Sequence, residues 1–276
     1  MSARPAGPSH ANDDFHAGVL SRLVSLAKQP VPPKVALLNV LRWAAKHRAL
    51  LLQNTLLKAY GPTILGGPFS GMSFVRQVAE GCCVPKLLGC YEEELHPHIE
   101  EAITRDYPQL LNIGVAEGYY AVGLARRMPN TKVFAYDTNE NAQKTCAAVA
   151  QANAVAERVH IGGLFRGEDF ELYAGARTLL ICDIEGAERE LLDPDAYPAL
   201  RRMDIIVELH DCLIPGLSYE IPERFAASHD ITLVRQAGRA VPLPSVFETL
   251  SHLDQLLAVW EWRSGPTPWA IMLARP

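Results

Sequence analysis

Side chains that can transfer protons are concentrated after two apolar runs in the second half of the chain. The run Thr178–Cys182 is followed by Asp183, and a second run is followed by Glu208, His210 and Asp211. Short apolar runs of this kind are typical of buried parallel strands, whose carboxyl ends meet at one edge of a sheet. Because an unpaired buried carboxylate is costly, we expect this cluster to hold a cation or to transfer a proton.

Two chemistries are open to this cluster. A histidine has an unperturbed pKa of about 6.5 and accepts protons readily near neutral pH. We therefore expect His210 to act as a general base, with Asp183 and Glu208 beside it. Alternatively, Asp183 and Glu208, together with Asp211 or His210, hold Mg²⁺ or another divalent cation, for which carboxylate oxygens are suitable ligands.

A glycine-rich turn earlier in the chain predicts a ligand site. The apolar run Leu110–Ile113 ends at Gly114, and an apolar pattern with helical spacing resumes after Gly118. A second strand follows and ends in Asp137, whose carboxylate can accept hydrogen bonds from both hydroxyls of a ribose. The spacing does not match G-x-G-x-x-G, which argues against a nicotinamide or flavin enzyme.

This turn, with its acidic partner, resembles the cofactor site of class I S-adenosylmethionine (SAM)-dependent methyltransferases. The resemblance implies that SAM is the cofactor. The residues expected to contact it are Asn112, Gly114, Glu117, Gly118, Tyr119, Asp137, Gly163 and Asp183.

A more specific resemblance lies in Leu180–Glu188, which reads Leu-Ile-Cys-Asp-Ile-Glu-Gly-Ala-Glu. It resembles the Asp-x-Glu-Gly-x-Glu segment of the FkbM-like family of methyltransferases, and segments 114–120 and 207–210 are also similar to that family. The resemblance covers roughly residues 85–275. It implies O-methylation of a hydroxyl on a sugar or secondary metabolite. The chain departs from the pattern in having Asn112 where an acidic residue is common, and Asp137-Thr138 in place of Glu-Pro.

The order of elements predicts the fold. From residue 109 onward, strands and helices alternate, which indicates a parallel sheet with right-handed crossovers. We expect an α/β fold of the class I methyltransferase (Rossmann-like) type, with seven mostly parallel strands and helices on both faces. The predicted strands begin at residues 109, 132, 159, 178, 205, 231 and 269, the last being antiparallel.

The first part of the chain is predicted to be a helical extension. Residues 1–84 form this extension, with 1–13 disordered, and residues 85–276 form the methyltransferase domain. Helices are expected over Phe15–Lys28 and Lys34–Ala59, the second with Leu37, Leu38 and Leu41 facing inward. The broad apolar stripe of the second helix suits a lid or a homodimer contact.

The amino-acid composition limits the kinds of molecule that are expected to bind this protein. A net charge of −5 and a pI near 6.0 argue against nucleic acid as the main partner. The most apolar stretch is interrupted by charges, so no membrane partner is expected. The six cysteines lack a zinc spacing and are expected to be reduced thiols of a cytoplasmic protein. The expected partner is a small-molecule acceptor.

Two other functions fit the residues less well. One is a non-catalytic SAM-binding or scaffold protein that acts through its helical extension, which Asn112 would suit. The other is a metal-dependent hydrolase, for which the chain lacks a histidine-rich ligand set and which leaves the glycine turn unexplained.

Overall fold

A computed structural model describes residues 9–76, 78, 81–239 and 241–276, without the side chains of 9–15. Its centre is one seven-stranded sheet of order β3-β2-β1-β4-β5-β7-β6. All neighbours are parallel except β7, which is antiparallel to both β5 and β6. The strands are β1 (Gln109–Ile113), β2 (Lys132–Tyr136), β3 (Val159–Gly162), β4 (Thr178–Cys182), β5 (Asp204–Glu208), β6 (His229–Val234) and β7 (Trp269–Ala274).

Helices cover both faces of this sheet. Leu110 of β1 lies in one hydrophobic core and its neighbour Leu111 in the other, because successive side chains of a strand point to opposite faces. The predicted class I methyltransferase fold is therefore confirmed. The helices are α1 (Ser9–Ala27), α2 (Pro33–Tyr60), α3 (Val84–Leu88), α4 (His96–Arg105), α5 (Tyr119–Arg127), α6 (Glu140–Ala152), α7 (Glu188–Leu191), α8 (Leu217–Phe225), α9 (Ser245–Glu248) and α10 (His252–Ala258).

The central strands explain the apolar runs of the sequence. Every residue of β4 and of β5 is buried, since each strand has neighbours on both sides and a core on both faces. β5 ends at Glu208, so His210 and Asp211 lie in the turn that follows it. The segment between β6 and β7 contains the short helices α9 and α10, and the second begins with a hydrogen bond from the Asp254 amide to the Ser251 hydroxyl.

The N-terminal helices begin earlier than predicted. Residues 1–8 of the segment expected to be disordered lie outside the described residues. Residues 9–13 form the first turns of α1, since they contain no proline or glycine that would interrupt a helix. The break between α1 and α2 falls at the prolines near residue 30, as expected.

The inward face predicted for α2 was wrong. Leu37, Leu38 and Leu41 are 71%, 46% and 64% exposed, whereas Leu52 and Leu56 are buried. Only the second half of α2 reaches the core beside the sheet, so the leucines of the first half remain at the surface. Buried residues on either side of the boundary predicted at 84/85 share that core, and the boundary itself stays a prediction.

The six cysteines form no disulfide. None of the helices in the described part of the chain is both long and apolar enough to cross a membrane.

Candidate functional site

The turn after β1 requires its glycines. Gly114 has φ +80° and Gly118 has φ +85°, a region that glycine adopts without steric cost. A Cβ on Gly114 would lie 1.6 Å from the carbonyl oxygen of Asp183, and one on Gly118 would lie 2.8 Å from the Cys146 sulfur. The turn therefore brings the end of β1 directly against the end of β4.

Asp137, at the end of β2, is held by the backbone around it. Its Oδ2 accepts a hydrogen bond of 2.9 Å from the Ala116 amide, and its Oδ1 accepts one of 2.8 Å from the Asn139 amide. Each carboxylate oxygen has a second lone pair. Asp137 is thus fixed in position and can still accept hydrogen bonds from a ligand.

A cavity of about 610 Å³ opens at the carboxyl ends of β1 to β4. Four residues predicted from the sequence to contact a cofactor line it: Gly114, Asp137, Gly163 and Asp183. Residues that were not predicted as site residues also line it, including Tyr136, Asn139, Phe165, Arg166, Glu185, Leu191 and Tyr197. They come from the segments that follow β2, β3 and β4, which is where an open α/β sheet binds ligands.

The other four predicted cofactor residues do not line this cavity. Asn112 is buried within β1 and donates a long hydrogen bond of 3.4 Å to the Ile181 carbonyl. Glu117 is fully buried and lies 3.2 Å from the Lys86 ammonium. Gly118 shapes the turn.

Tyr119, the first residue of α5, packs in an aromatic cluster. Its ring centroid lies 5.1 Å from Phe69, 5.9 Å from Phe74 and 5.4 Å from Tyr91. Aromatic contacts of this kind stabilise a core, so the position of Tyr119 is that of a packing residue.

The cluster predicted at the ends of β4 and β5 does assemble, around His210. Its Nδ1 lies 2.9 Å from Oε1 of Glu188. Its Nε2 faces Asp183 Oδ1 at 3.5 Å, Glu185 Oε2 at 3.6 Å and Glu208 Oε2 at 3.4 Å. The His210 side chain is 4% exposed and that of Asp183 is 33% exposed. Asp183 therefore reaches the cavity, and the imidazole lies behind it.

The pKa values of this cluster are displaced upward. Burial by itself lowers the pKa of His210, but the hydrogen bond to Glu188 and the charges of Glu208, Glu188 and Glu185 outweigh it, and the pKa is raised above 6.5. Burial and the neighbouring Glu208 carboxylate raise the pKa of Asp183 well above its usual range. A carboxyl group with a raised pKa is a stronger base than an ordinary one.

Arg263 connects this cluster to a second group of buried acids. Its guanidinium contacts Glu208, lies 2.8 Å from Glu92 Oε1 and lies 2.9 Å from Glu261 Oε2. Burial raises the pKa of Glu92 to about 8, against the opposing charge of Arg263, and the like charges of Glu208 and Glu261 add to the rise. The sequence contains no local signal for Arg263 or Glu92, which lie 171 residues apart.

One of the predicted metal ligands does not join the cluster around His210. Asp211 turns away, and its Oδ1 accepts a hydrogen bond of 2.9 Å from the Ser218 amide at the start of α8. Among the described residues, ligand-type atoms of Asp183, Glu188 and His210 lie within 4.8 Å of one another. The structure thus places Glu188, rather than Asp211, with Asp183 and His210. The carboxylate of Glu188 also accepts a hydrogen bond from the Ile184 amide.

The two acids that follow Arg166 and Gly167 after β3 have different positions. Glu168 lines the cavity, whereas Asp169 accepts a hydrogen bond from the Arg166 amide at 3.0 Å. Glu168 is therefore the one of the two that faces the cavity.

No family model matches the chain, and no curated protein matches it. Among solved structures it is similar to an O-methyltransferase from Bacillus cereus in complex with SAH (11% identity, 64% of this chain and 78% of that one, TM-score 0.43). It is similar to the O-methyltransferase TomG from Streptomyces achromogenes in complex with SAM, with 13% identity over 83% of this chain and 90% of that one and a TM-score of 0.45. It is also similar to an rRNA methylase from Streptococcus thermophilus, with 14% identity over 66% of this chain and 96% of that one and a TM-score of 0.44. At such identities the likeness concerns the fold, which the strand order already establishes.

Proposed function

We propose that this protein is a SAM-dependent methyltransferase that methylates a hydroxyl group. The observation that carries the proposal is the position of Asp137 and of the Gly114 turn on one wall of the cavity, within a class I methyltransferase sheet. The resemblance of Leu180–Glu188 to the FkbM-like family supports the same reading. By that resemblance, the acceptor is a sugar or a secondary metabolite.

The residues present fit this cofactor. Both oxygens of Asp137 can accept from a ribose hydroxyl, and the cavity continues past Gly163 and Phe165 toward Glu168, where the adenine would lie. Asp183 and Glu185 line the other end of the cavity. Their negative charge favours a cationic group there. When bound, SAM supplies a methyl group attached to a positively charged sulfur.

The chain itself would supply the base that a hydroxyl acceptor needs. Asp183 is the member of the cluster that reaches the cavity, and it accepts the hydroxyl proton. His210 lies behind it and takes up the proton at Nε2, because Glu188 holds the Nδ1 side of the ring and stabilises the imidazolium. Glu208 is paired with Arg263 and lies 3.4 Å from Nε2 of His210, so its charge also favours the imidazolium.

A divalent cation is the alternative means of activating the acceptor. Two of the three ligands predicted for it have protein partners, since Glu208 contacts Arg263 and Asp211 accepts from Ser218. These contacts favour the base over the metal.

Calorimetric titration with S-adenosylhomocysteine tests the proposal. We expect micromolar binding by the wild-type protein, loss of binding in Asp137→Ala, and unchanged binding in the control Asp230→Ala. Asp230 lies on β6, at the sheet edge opposite β3. The titration is repeated with Mg²⁺, and a gain in affinity or turnover with the metal would favour the alternative. Absence of binding in both conditions would favour a scaffold protein over an enzyme.

A further inference from the structure

Exposed apolar side chains are concentrated on one part of the N-terminal helices. We call residues 20–41, which comprise the end of α1, the proline turn and the start of α2, the hairpin end. Seven of the sixteen exposed large hydrophobic residues in the described part of the chain lie there. They are Leu20, Val24, Val31, Val35, Leu37, Leu38 and Leu41, with exposures of 38% to 71%.

The same segment is positively charged. Between Phe15 and Tyr60 the chain has seven Lys and Arg residues and no Asp or Glu, although the whole protein has a net charge of −5. Within the hairpin end, the side chains of Arg22, Lys28 and Lys34 make no ion pair or hydrogen bond with the part of the chain that the structure describes.

The remainder of α2, residues 42–60, differs because three of its cations attach it to the body of the protein. Arg48 lies 2.6 Å from Asp254, Lys46 lies over the ring of Trp262 at 4.8 Å, and Arg42 donates to the Ser264 carbonyl at 2.9 Å. The hairpin end therefore carries exposed apolar side chains, together with cations that are not paired within the described part of the chain.

The combination of exposed apolar side chains and cations favours one kind of binding partner. Apolar side chains beside unpaired cations are typical of helices that lie in the interface of a negatively charged membrane. A second copy of the same surface would bring only cations against cations, which disfavours a homodimer through this face. Residues 20–41 contain no aromatic residue, so they lack the rings that single-stranded nucleic acids use for stacking.

We propose that the hairpin end docks on the surface of an anionic lipid bilayer. The aliphatic side chains enter the interface, and Arg22, Lys28 and Lys34 contact lipid head groups. The proposal departs from the expectation of no membrane partner, which rested on the lack of a spanning segment. It is independent of the methyltransferase activity, since none of these residues lines the cavity.

Vesicle flotation with the full-length protein tests the proposal. The probes are vesicles of phosphatidylcholine alone and of phosphatidylcholine with phosphatidylglycerol at a ratio of about 3:1, at an ionic strength of about 0.1 M. We expect the protein to float with the anionic vesicles and to stay unbound with the neutral ones. Raising the salt concentration should weaken the binding, because salt screens the attraction.

Two variants separate the apolar and charged contributions. Leu37→Ser/Leu41→Ser should lower the bound fraction at least about tenfold, and Lys28→Gln/Lys34→Gln should lower it about fivefold for each lysine. The control Leu172→Ser/Tyr219→Ser, at residues that are 74% and 76% exposed outside the hairpin end, should bind as the wild type does. Circular dichroism melting checks that each variant is folded.

Three results would overturn the proposal. The first is no binding to anionic vesicles by a folded wild-type protein. The second is an equal loss of binding in the control variant. The third is a dimer in sedimentation, or RNA binding in a filter assay, that disappears with Leu37→Ser/Leu41→Ser while vesicle binding is unaffected.

Discussion

Asp183 Oδ1 lies 3.5 Å from Nε2 of His210, and only the aspartate lines the cavity. The imidazole is 4% exposed and is held from behind by Glu188 at 2.9 Å. In the proposed mechanism, this arrangement would divide the work of a base between two residues. Asp183 would contact the acceptor, and His210 would take up the proton from behind it.

Replacing either member of this pair should reduce turnover much more than it weakens the binding of S-adenosylhomocysteine. Asp183→Asn removes the proposed proton acceptor, and His210→Ala removes the imidazole that takes up the proton from it. We expect turnover to fall about 100- to 10,000-fold in each variant. Calorimetry with S-adenosylhomocysteine should still give binding within a few-fold of the wild type. Asp195→Asn, at an exposed side chain, is the control. Unchanged turnover in His210→Ala would remove His210 from the mechanism.

Turnover and stability should respond to pH in opposite directions. The pKa of His210 is raised in the folded protein, so the stability it contributes is complete below pH 6.5 and is lost as pH rises through the raised value. Turnover should instead rise over that window, because an imidazolium cannot accept a proton. Rate profiles and thermal melting between pH 5 and 9 measure both trends. His210→Gln should remove the His210 contribution from each, and parallel trends in the wild type would contradict the assignment.

Gly114→Ala should disrupt the cavity wall. The added methyl group would lie 1.6 Å from the Asp183 carbonyl oxygen, at a φ of +80°. We expect a loss of about 2–5 kcal/mol in the free energy of unfolding and weaker binding of S-adenosylhomocysteine. Gly175→Ala is the matched control, since nothing lies within 4 Å of its added carbon, and its change should stay within about 1 kcal/mol. Equal effects of the two substitutions, measured by urea unfolding, would refute this account.

The Lys86–Glu117 pair should matter for stability. Lys86→Met removes the ammonium group that lies 3.2 Å from the Glu117 carboxylate, whose side chain is 0% exposed, and we expect a loss of about 3–5 kcal/mol in the free energy of unfolding. Lys86→Met/Glu117→Gln removes both charges and should recover most of it. The exposed pair of Lys144 and Glu140 is the control, and Lys144→Met should cost less than about 1 kcal/mol. A double variant as unstable as Lys86→Met would show that the pairing is not the cause.

Much of the fold was predictable because short sequence patterns specify the individual strands and helices. The strands at 132–136 and 159–162 begin where the sequence predicted, since short apolar runs and flanking turn residues mark them directly. The inward face of α2 was mispredicted because a broad apolar stripe does not show which side meets the core. Leu37 and Leu41 are as apolar as Leu52, and only the packing of the whole chain distinguishes them.

By itself, the sequence determined the order of strands and helices, the glycine turn at 114–118, and the placement of Asp137, Asp183 and Glu208 at strand ends, because these depend on neighbours along the chain. Tertiary structure decided which side chains meet. It joined Glu188 to His210, turned Asp211 toward Ser218, and brought Arg263 to Glu92 across 171 residues. Such contacts depend on how whole elements pack, and no spacing along the chain encodes them.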